Sequence, residues 1–158
     1  MKAAAVPTDH APVVINPLLI YPGVLLLGAL LQWALPLPFL APAPARLIGL
    51  AFLLVDLVIG LPAVRAFLKA HTSLNPARPV SSLVFSGSYR FTRNPMYLGL
   101  TFIYTGLAII FRLPWALLLL PLLIWLITTW VIVPEEKYLE GKFGSQYTEY
   151  KQRVHRWL

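Results

Sequence analysis

No charged side chain occurs between residues 11 and 45, and that gap decides most of what the chain can become. About 20 apolar residues cross the hydrocarbon core of a bilayer. Residues 18–35, inside the gap, are long and apolar enough to do so. Three more apolar runs follow, at about 47–67, 95–111 and 115–133. The chain as a whole is 58% hydrophobic and only 12% charged, with a mean hydropathy of +0.72. Soluble domains carry roughly 25% charged and 45–50% apolar residues. A soluble globular protein is therefore excluded, and so is a disordered one. The 158 residues allow a single domain, 1–158. The absence of cysteine excludes a disulfide scaffold, a thiolate zinc site and a cysteine nucleophile.

The pattern predicts an all-α integral membrane protein with four transmembrane helices. The last two form a helical hairpin through Arg112, Leu113 and Pro114, and short cytoplasmic helices follow. Pro36, Pro38, Pro42 and Pro44 are expected to break any helix after the first span. Asp56, Gly60 and Pro62 interrupt the second span, whereas the fourth runs unbroken to Pro134. Trp33, Trp115 and Trp130 stand near span ends, where aromatic belts form. A cleaved signal peptide is the rival reading of the first span, since Ala43 and Ala45 flank Pro44 in an A-x-A pattern. The prolines and the long leader argue against it. There is no internal repeat of solenoid length.

Eleven of the thirteen lysines and arginines fall on one side of this topology. Lys2 precedes the first span. Arg65, Lys69, Arg78, Arg90 and Arg93 belong to the connection between the second and third. Lys137, Lys142, Lys151, Arg153 and Arg156 follow the fourth. The positive-inside rule places both termini and this connection in the cytoplasm, which for a prokaryotic chain means the inner or plasma membrane. In so apolar a chain, the net charge of +7 reads as cytoplasmic loops and an anionic lipid surface, not as nucleic-acid binding. His10, His71 and His155 make no ligand spacing, so no metal is expected.

Two polar segments, 72–94 and 134–158, thus share the cytoplasmic face. In the first, Asn75-Pro76 and Arg78-Pro79 favour extended or turn structure. Leu83, Val84 and Phe85 read as a short buried strand-like piece. Ser86, Gly87 and Ser88 mark a turn, and Tyr89, Arg90, Phe91 and Arg93 interleave aromatics with cations. By composition alone this is a surface loop holding lipid headgroups. Asn94-Pro95 reads as a helix start, with Asn as N-cap. In the second segment Pro134 opens a helix with Glu135 and Glu136 in its first turn, which the macrodipole favours. Gly144 ends that helix left-handed and Ser145 caps the next. Tyr147, Tyr150 and Val154 form one face. Two adjacent acids where a membrane helix exits need a cation or donor partner, and the loop from Arg90 to Arg93 can supply one. Asp56 is the one charge near the middle of a span. It is either a functional acid or a hydrogen-bonded acid holding helices together.

The run GSYRFTRNPMYLG, residues 87–99, resembles the signature of the isoprenylcysteine carboxyl methyltransferase family, roughly G-x-Y-x-x-x-R-H-P-x-Y-x-G. Glu135-Glu136, Phe143-Gly144, Tyr147, Tyr150, Arg153-Val154 and Arg156 resemble the family's second block, in the same order and around a similar hairpin. The resemblance covers about residues 72–157. The phospholipid N-methyltransferases share the paired glutamates and the layout. The resemblance implies a membrane methyltransferase that uses S-adenosyl-L-methionine and a lipophilic acceptor: a prenylcysteine-like carboxylate, a phospholipid amine or another small lipophilic nucleophile. It implies cofactor contacts at Ser82, Leu83, Val84, Tyr89, Arg93, Asn94, Pro95, Met96, Tyr97, Glu135 and Glu136. No catalytic residue is assigned. Asn94 replaces the family's histidine and cannot act as a base near neutral pH. Val131 stands where eukaryotic members carry an arginine for the substrate carboxylate. The rival functions are a non-catalytic scaffold and a transporter coupled through Asp56.

Overall fold

The computed structural model describes residues 10–13, 15–70 and 79–158. Lys2, His71, Arg78 and the Asn75-Pro76 break lie outside the described residues.

Helix α1 spans Pro17–Ala34 and α2 spans Pro42–Lys69. Both are long and apolar enough to cross a membrane. Only 17% of the most apolar stretch of α2 is buried, so its leucines and valines face outward. Trp33 is 85% exposed, and Leu18, Leu47 and Val58 are also open. Apolar surface of that extent requires lipid around it. Helix α3, Pro95–Ile110, is equally apolar but only 16 residues long.

Prolines act differently from the sequence expectation. Helix α2 begins at Pro42, so Pro42 and Pro44 lie in its first turn and break nothing. First-turn N–H groups have no intrahelical acceptor, and a proline loses nothing there. Ala43 and Ala45 belong to the same turn. Nor do Asp56, Gly60 and Pro62 interrupt α2, which runs through all three. Below Pro62, the Ile59 carbonyl accepts the Ser88 hydroxyl at 2.8 Å. The fourth apolar run, in contrast, is not one α-helix. It divides into α4 (Pro114–Leu118), α5 (Leu120–Ile127) and a π-turn (Thr128–Ile132). That turn flows without a break into α6 (Val133–Phe143), with Pro134 at its start and Glu135 and Glu136 in its first turn as expected. A proline offers no N–H to continue an α-ladder. Just before it the chain widens, and the Val133 N–H reaches back to the Thr128 carbonyl.

Helix α7, Ser145–Arg153, follows Gly144, whose φ of +54° ends α6. Gly144 takes the N-cap position expected of Ser145. Residues 83–85 form no strand among the described residues, and Phe85 is exposed, not buried as expected. The one β-bridge among the described residues joins Thr92 to His155.

The chain alternates between two ends of the bundle. At one end, the Arg112 Nε donates to the Leu40 carbonyl at 2.9 Å and the Trp115 Nε1 to the Leu35 carbonyl at 2.8 Å. This ties the α1–α2 connection to the turn after α3. Helices α2 and α3 pack through glycines: a Cβ at Gly106 would lie 2.8 Å from the Gly49 carbonyl oxygen. Small residues allow such close backbone approach between membrane helices. Helix α1 covers the other side, with Gly28 against Ala116. The buried core collects Ile20, Tyr104, Ala108, Leu123, Ile127 and Val131. At the opposite end lie residues 79–94, α6, α7 and the tail, which together build a polar site.

Candidate active site

The site begins where the chain leaves the apolar bundle. Pro95 starts α3 and is fully buried. The next residues, Met96 and Tyr97, face a cavity. The Tyr97 hydroxyl donates to Glu135 Oε2 at 2.9 Å, from the first turn of α6. Burial pushes the Glu135 carboxyl up to about 7. The bond from Tyr97 opposes this shift and the neighbouring Glu136 adds to it.

Glu136 is buried and points elsewhere. Arg156 Nε and Nη2 grip its two oxygens at 3.1 and 2.7 Å. Arg93 Nη1 lies 3.0 Å from Oε1. The bond to Glu136 raises the Arg156 guanidinium further above its ordinary range. The Arg93 side chain is only 8% exposed, yet its Nε has no hydrogen-bond partner and its Nη1 is paired by charge without an aligned bond. The guanidinium is thus held by Glu136 and bonded to Tyr147, with its Nε left over.

The tail fixes this arrangement. The Arg93 N–H donates to the His155 carbonyl at 2.9 Å. The Thr92 hydroxyl and the Asn94 amide both donate to the Arg156 carbonyl, at 3.1 and 3.0 Å. Asn94 therefore sits at the N-cap of α3 without a side-chain cap bond, because its amide serves the tail. The Trp157 indole reaches the Thr128 hydroxyl in the π-turn at 3.3 Å.

Aromatic rings wall the cavity. Tyr89 lies 5.4 Å from Phe67, centroid to centroid, and the Tyr150 hydroxyl donates to the Tyr89 carbonyl at 2.7 Å. Tyr147 packs edge-on against Tyr150. Burial drives the Tyr89, Tyr147 and Tyr150 phenols up, so they stay neutral donors at any ordinary pH. Ser82, Leu83 and Val84 form the outer wall. The Ser82 hydroxyl donates to the Ala70 carbonyl at 3.3 Å, and the Val80 N–H to the Tyr138 hydroxyl at 3.3 Å. The backbone groups of Leu83 and Val84 carry no hydrogen bond among the described residues.

The structure thus brings Ser82, Leu83, Val84, Tyr89, Arg93, Asn94, Met96, Tyr97, Glu135 and Glu136 to one cavity. Pro95 is packed behind the wall, where its ring starts the helix. Phe67, Val80, Leu139, Tyr147 and Tyr150 complete the lining, and sequence reasoning did not place them there. The i, i+3 spacing of Tyr147 and Tyr150 marked a buried face without showing what it covered. Arg90 is exposed and does not reach the acids. Among the described residues no group of three histidines and acids is placed to hold a metal.

Fold and site together define a helical membrane protein with an acid, a cation and a ring of tyrosines at one end of its bundle. Residues 45–146 match the family described as phospholipid methyltransferase, and the chain belongs to that family. The matched stretch runs from α2 to the start of α7 and stops short of Arg156. An uncharacterized protein of Haemophilus influenzae is 63% identical over 27 residues, which are 17% of this chain and 43% of that protein. The chain thus covers less than half the length of that curated relative. No solved structure matches.

Proposed function

We propose that this protein transfers a methyl group from S-adenosyl-L-methionine to a lipophilic acceptor at the cytoplasmic face of the membrane. One observation carries the reading: the cavity holds the Glu135 carboxylate, bonded among the described residues by Tyr97 alone, beside the buried Arg93 guanidinium with its unpartnered Nε. An amino-acid group brings an ammonium for Glu135 and a carboxylate for Arg93. The unpaired backbone of Leu83 and Val84 suits the edges of an adenine. The faces of Tyr89 and Tyr97 suit a sulfonium. Glu136 is held by Arg93 and Arg156 and keeps the guanidinium in place, so Glu135 is the donor-facing acid.

The bound donor supplies an activated methyl group. The protein supplies alignment and a dry surrounding. The cavity is about 50 Å³, well under the roughly 300–1,000 Å³ of small-molecule sites. Donor entry therefore requires the wall to open, and the long bonds of Val80 and Ser82, 3.3 Å each, mark where it gives. We further propose that all four apolar runs cross the bilayer, with both termini and the site cytoplasmic. The alternation of the chain between the two bundle ends and the placing of the basic residues support this.

Calorimetry of S-adenosylmethionine and S-adenosylhomocysteine on the purified protein, in lipid as well as detergent, tests the reading. Wild type is expected to bind both, and Glu135→Gln to bind about tenfold more weakly, the order of a lost charge-assisted hydrogen bond. No binding by folded wild type overturns it.

A further inference from the structure

The cations interleaved with aromatics at 89–93 part company in the structure. Arg93 turns inward to Glu136. Arg90 stays exposed at the end of the 3₁₀ turn Gly87–Arg90. It lines two neighbouring grooves on the outside of the bundle. One is shared with Ser86 and with Lys69, from the last turn of α2. The other runs past Val58 and Pro62 of α2 and Leu98 of α3, with Phe91 at its side. Phe91 is 76% and Val58 73% exposed, so this second groove opens on surface that lipid covers. Residues 58–69 rise about 16 Å along α2. That is close to the roughly 15 Å half-thickness of the hydrocarbon core, the depth of one acyl chain.

The charges at this end of the bundle do not balance. Glu135 is bonded to Tyr97, Glu136 is paired with Arg93 and Arg156, Glu140 with Lys151, and Glu149 with Arg153. Those are all the acids of α6 and α7. The side chains of Lys69 and Arg90 make no hydrogen bond or ion pair among the described residues. Nor does that of Arg65, one turn before Lys69 on the same face of α2. A groove shared by two such cations favours an anion that can accept from both. The apolar groove beside it, as deep as an acyl chain, makes that anion the headgroup of a lipid.

We propose that Lys69 and Arg90 form a binding site for an anionic phospholipid, one whose headgroup carries a phosphate and no cation. The phosphate sits between the two side chains, and an acyl chain lies along Val58, Pro62 and Leu98. A zwitterionic lipid would bring an ammonium among three cations with no free acid to receive it, and binds less well. The lipid lies on the outer face of the bundle, outside the cavity at Glu135, and its binding does not depend on methyl transfer.

Native mass spectrometry of the full chain, titrated with phosphatidylglycerol or with phosphatidylcholine of the same acyl chains, tests this. Wild type should bind its first phosphatidylglycerol about tenfold more tightly than its first phosphatidylcholine. Arg90→Gln and Lys69→Gln should each weaken phosphatidylglycerol about fivefold, the effect of one cation near an anionic headgroup. Arg90→Lys should restore most of the affinity. Both side chains are exposed and unbonded among the described residues, so these variants should keep the wild-type Tm. Lys137→Gln removes one exposed charge from α6 and should leave phosphatidylglycerol binding unchanged. Glycerol phosphate, which has the anion without the chains, should not displace the bound lipid. Equal affinity of wild type for the two lipids overturns the proposal. So does a preference that survives in both Arg90→Gln and Lys69→Gln. An equal loss in Lys137→Gln overturns it too, since diffuse surface charge then explains the preference. Displacement by glycerol phosphate would make this a site for a soluble phosphate and overturn the lipid as its occupant.

Discussion

Glu135 and Glu136 are neighbours in sequence and opposites in role. Successive helical residues point about 100° apart, which turns Glu135 into the cavity and Glu136 onto two arginines. The sequence showed that adjacent acids at a span exit need a cation, and Arg93 is one. It could not show Arg156, which reaches back twenty positions only because the tail is pinned to Thr92, Arg93 and Asn94. Two predictions belong here. The carboxyl of Glu135 is raised to about 7, so the fold favours its protonated form. Its contribution to stability is full below the ordinary value of 4.5 and is lost as pH rises through 7. Holding an ammonium requires the ionised form. Titration calorimetry from pH 6 to 8 should therefore show S-adenosylhomocysteine binding strengthen and then level off above 7, with a flat profile in Glu135→Gln. An unchanged pH dependence in that variant would move the titration to another group. Glu136→Gln is expected to act on the fold instead. It leaves two guanidiniums without their anion, Arg93 8% and Arg156 35% exposed. Loss of a buried partner costs about 3–5 kcal/mol, and the exposure of Arg156 brings the expectation to the lower end. Thermal unfolding in detergent should give a Tm well below that of Glu135→Gln.

At the scale of elements, hydropathy located α1 and α2, the two described helices long and apolar enough to cross a membrane, because burial in lipid asks only for apolar side chains over a sufficient length. The proline positions were harder to read. A proline's effect depends on whether its missing N–H would have had a partner. At Pro42 it would not, so a helix starts where an ending was expected. At Pro134 it would, and the chain resolves the loss with a π-turn that no residue type announces. Helix pairing was also silent in the sequence, since a glycine in an apolar run reads the same whether it faces lipid or a backbone. The structure separates the cases. At Gly106 an added Cβ would meet the Gly49 carbonyl at 2.8 Å and Leu53 at 2.9 Å, whereas at Gly23 it would meet nothing within 4 Å. Gly106→Ala should lower Tm by forcing α2 from α3. Gly23→Ala should leave Tm unchanged or raise it, as alanine favours helix by up to about 1 kcal/mol. Equal effects of the two would show that the α2–α3 contact is looser than this packing.

At the scale of the molecule, charge told the sequence reader that the two polar segments share a face, because lysines and arginines mark the cytoplasmic side. That they close on one another, through Thr92 and His155 and through Asn94 and Arg156, was not legible. These contacts join residues some sixty positions apart through backbone carbonyls, which carry no side-chain signature. The proposed topology makes one further demand. The site end, with Ser86 and Ser145, lies in the cytoplasm, and the end tied by Arg112 to Leu40 lies outside. The chain has no cysteine, so single cysteines report without background. Ser86, Ser145 and Ala41 are all exposed. With a membrane-impermeant maleimide on intact cells, Ala41→Cys should label while Ser86→Cys and Ser145→Cys stay silent. On inside-out vesicles the pattern should reverse. If Ser86→Cys and Ser145→Cys label from opposite sides, an odd number of crossings separates the two polar segments. The cavity they build together could not then form in a membrane, and the proposed donor site would fall with the topology.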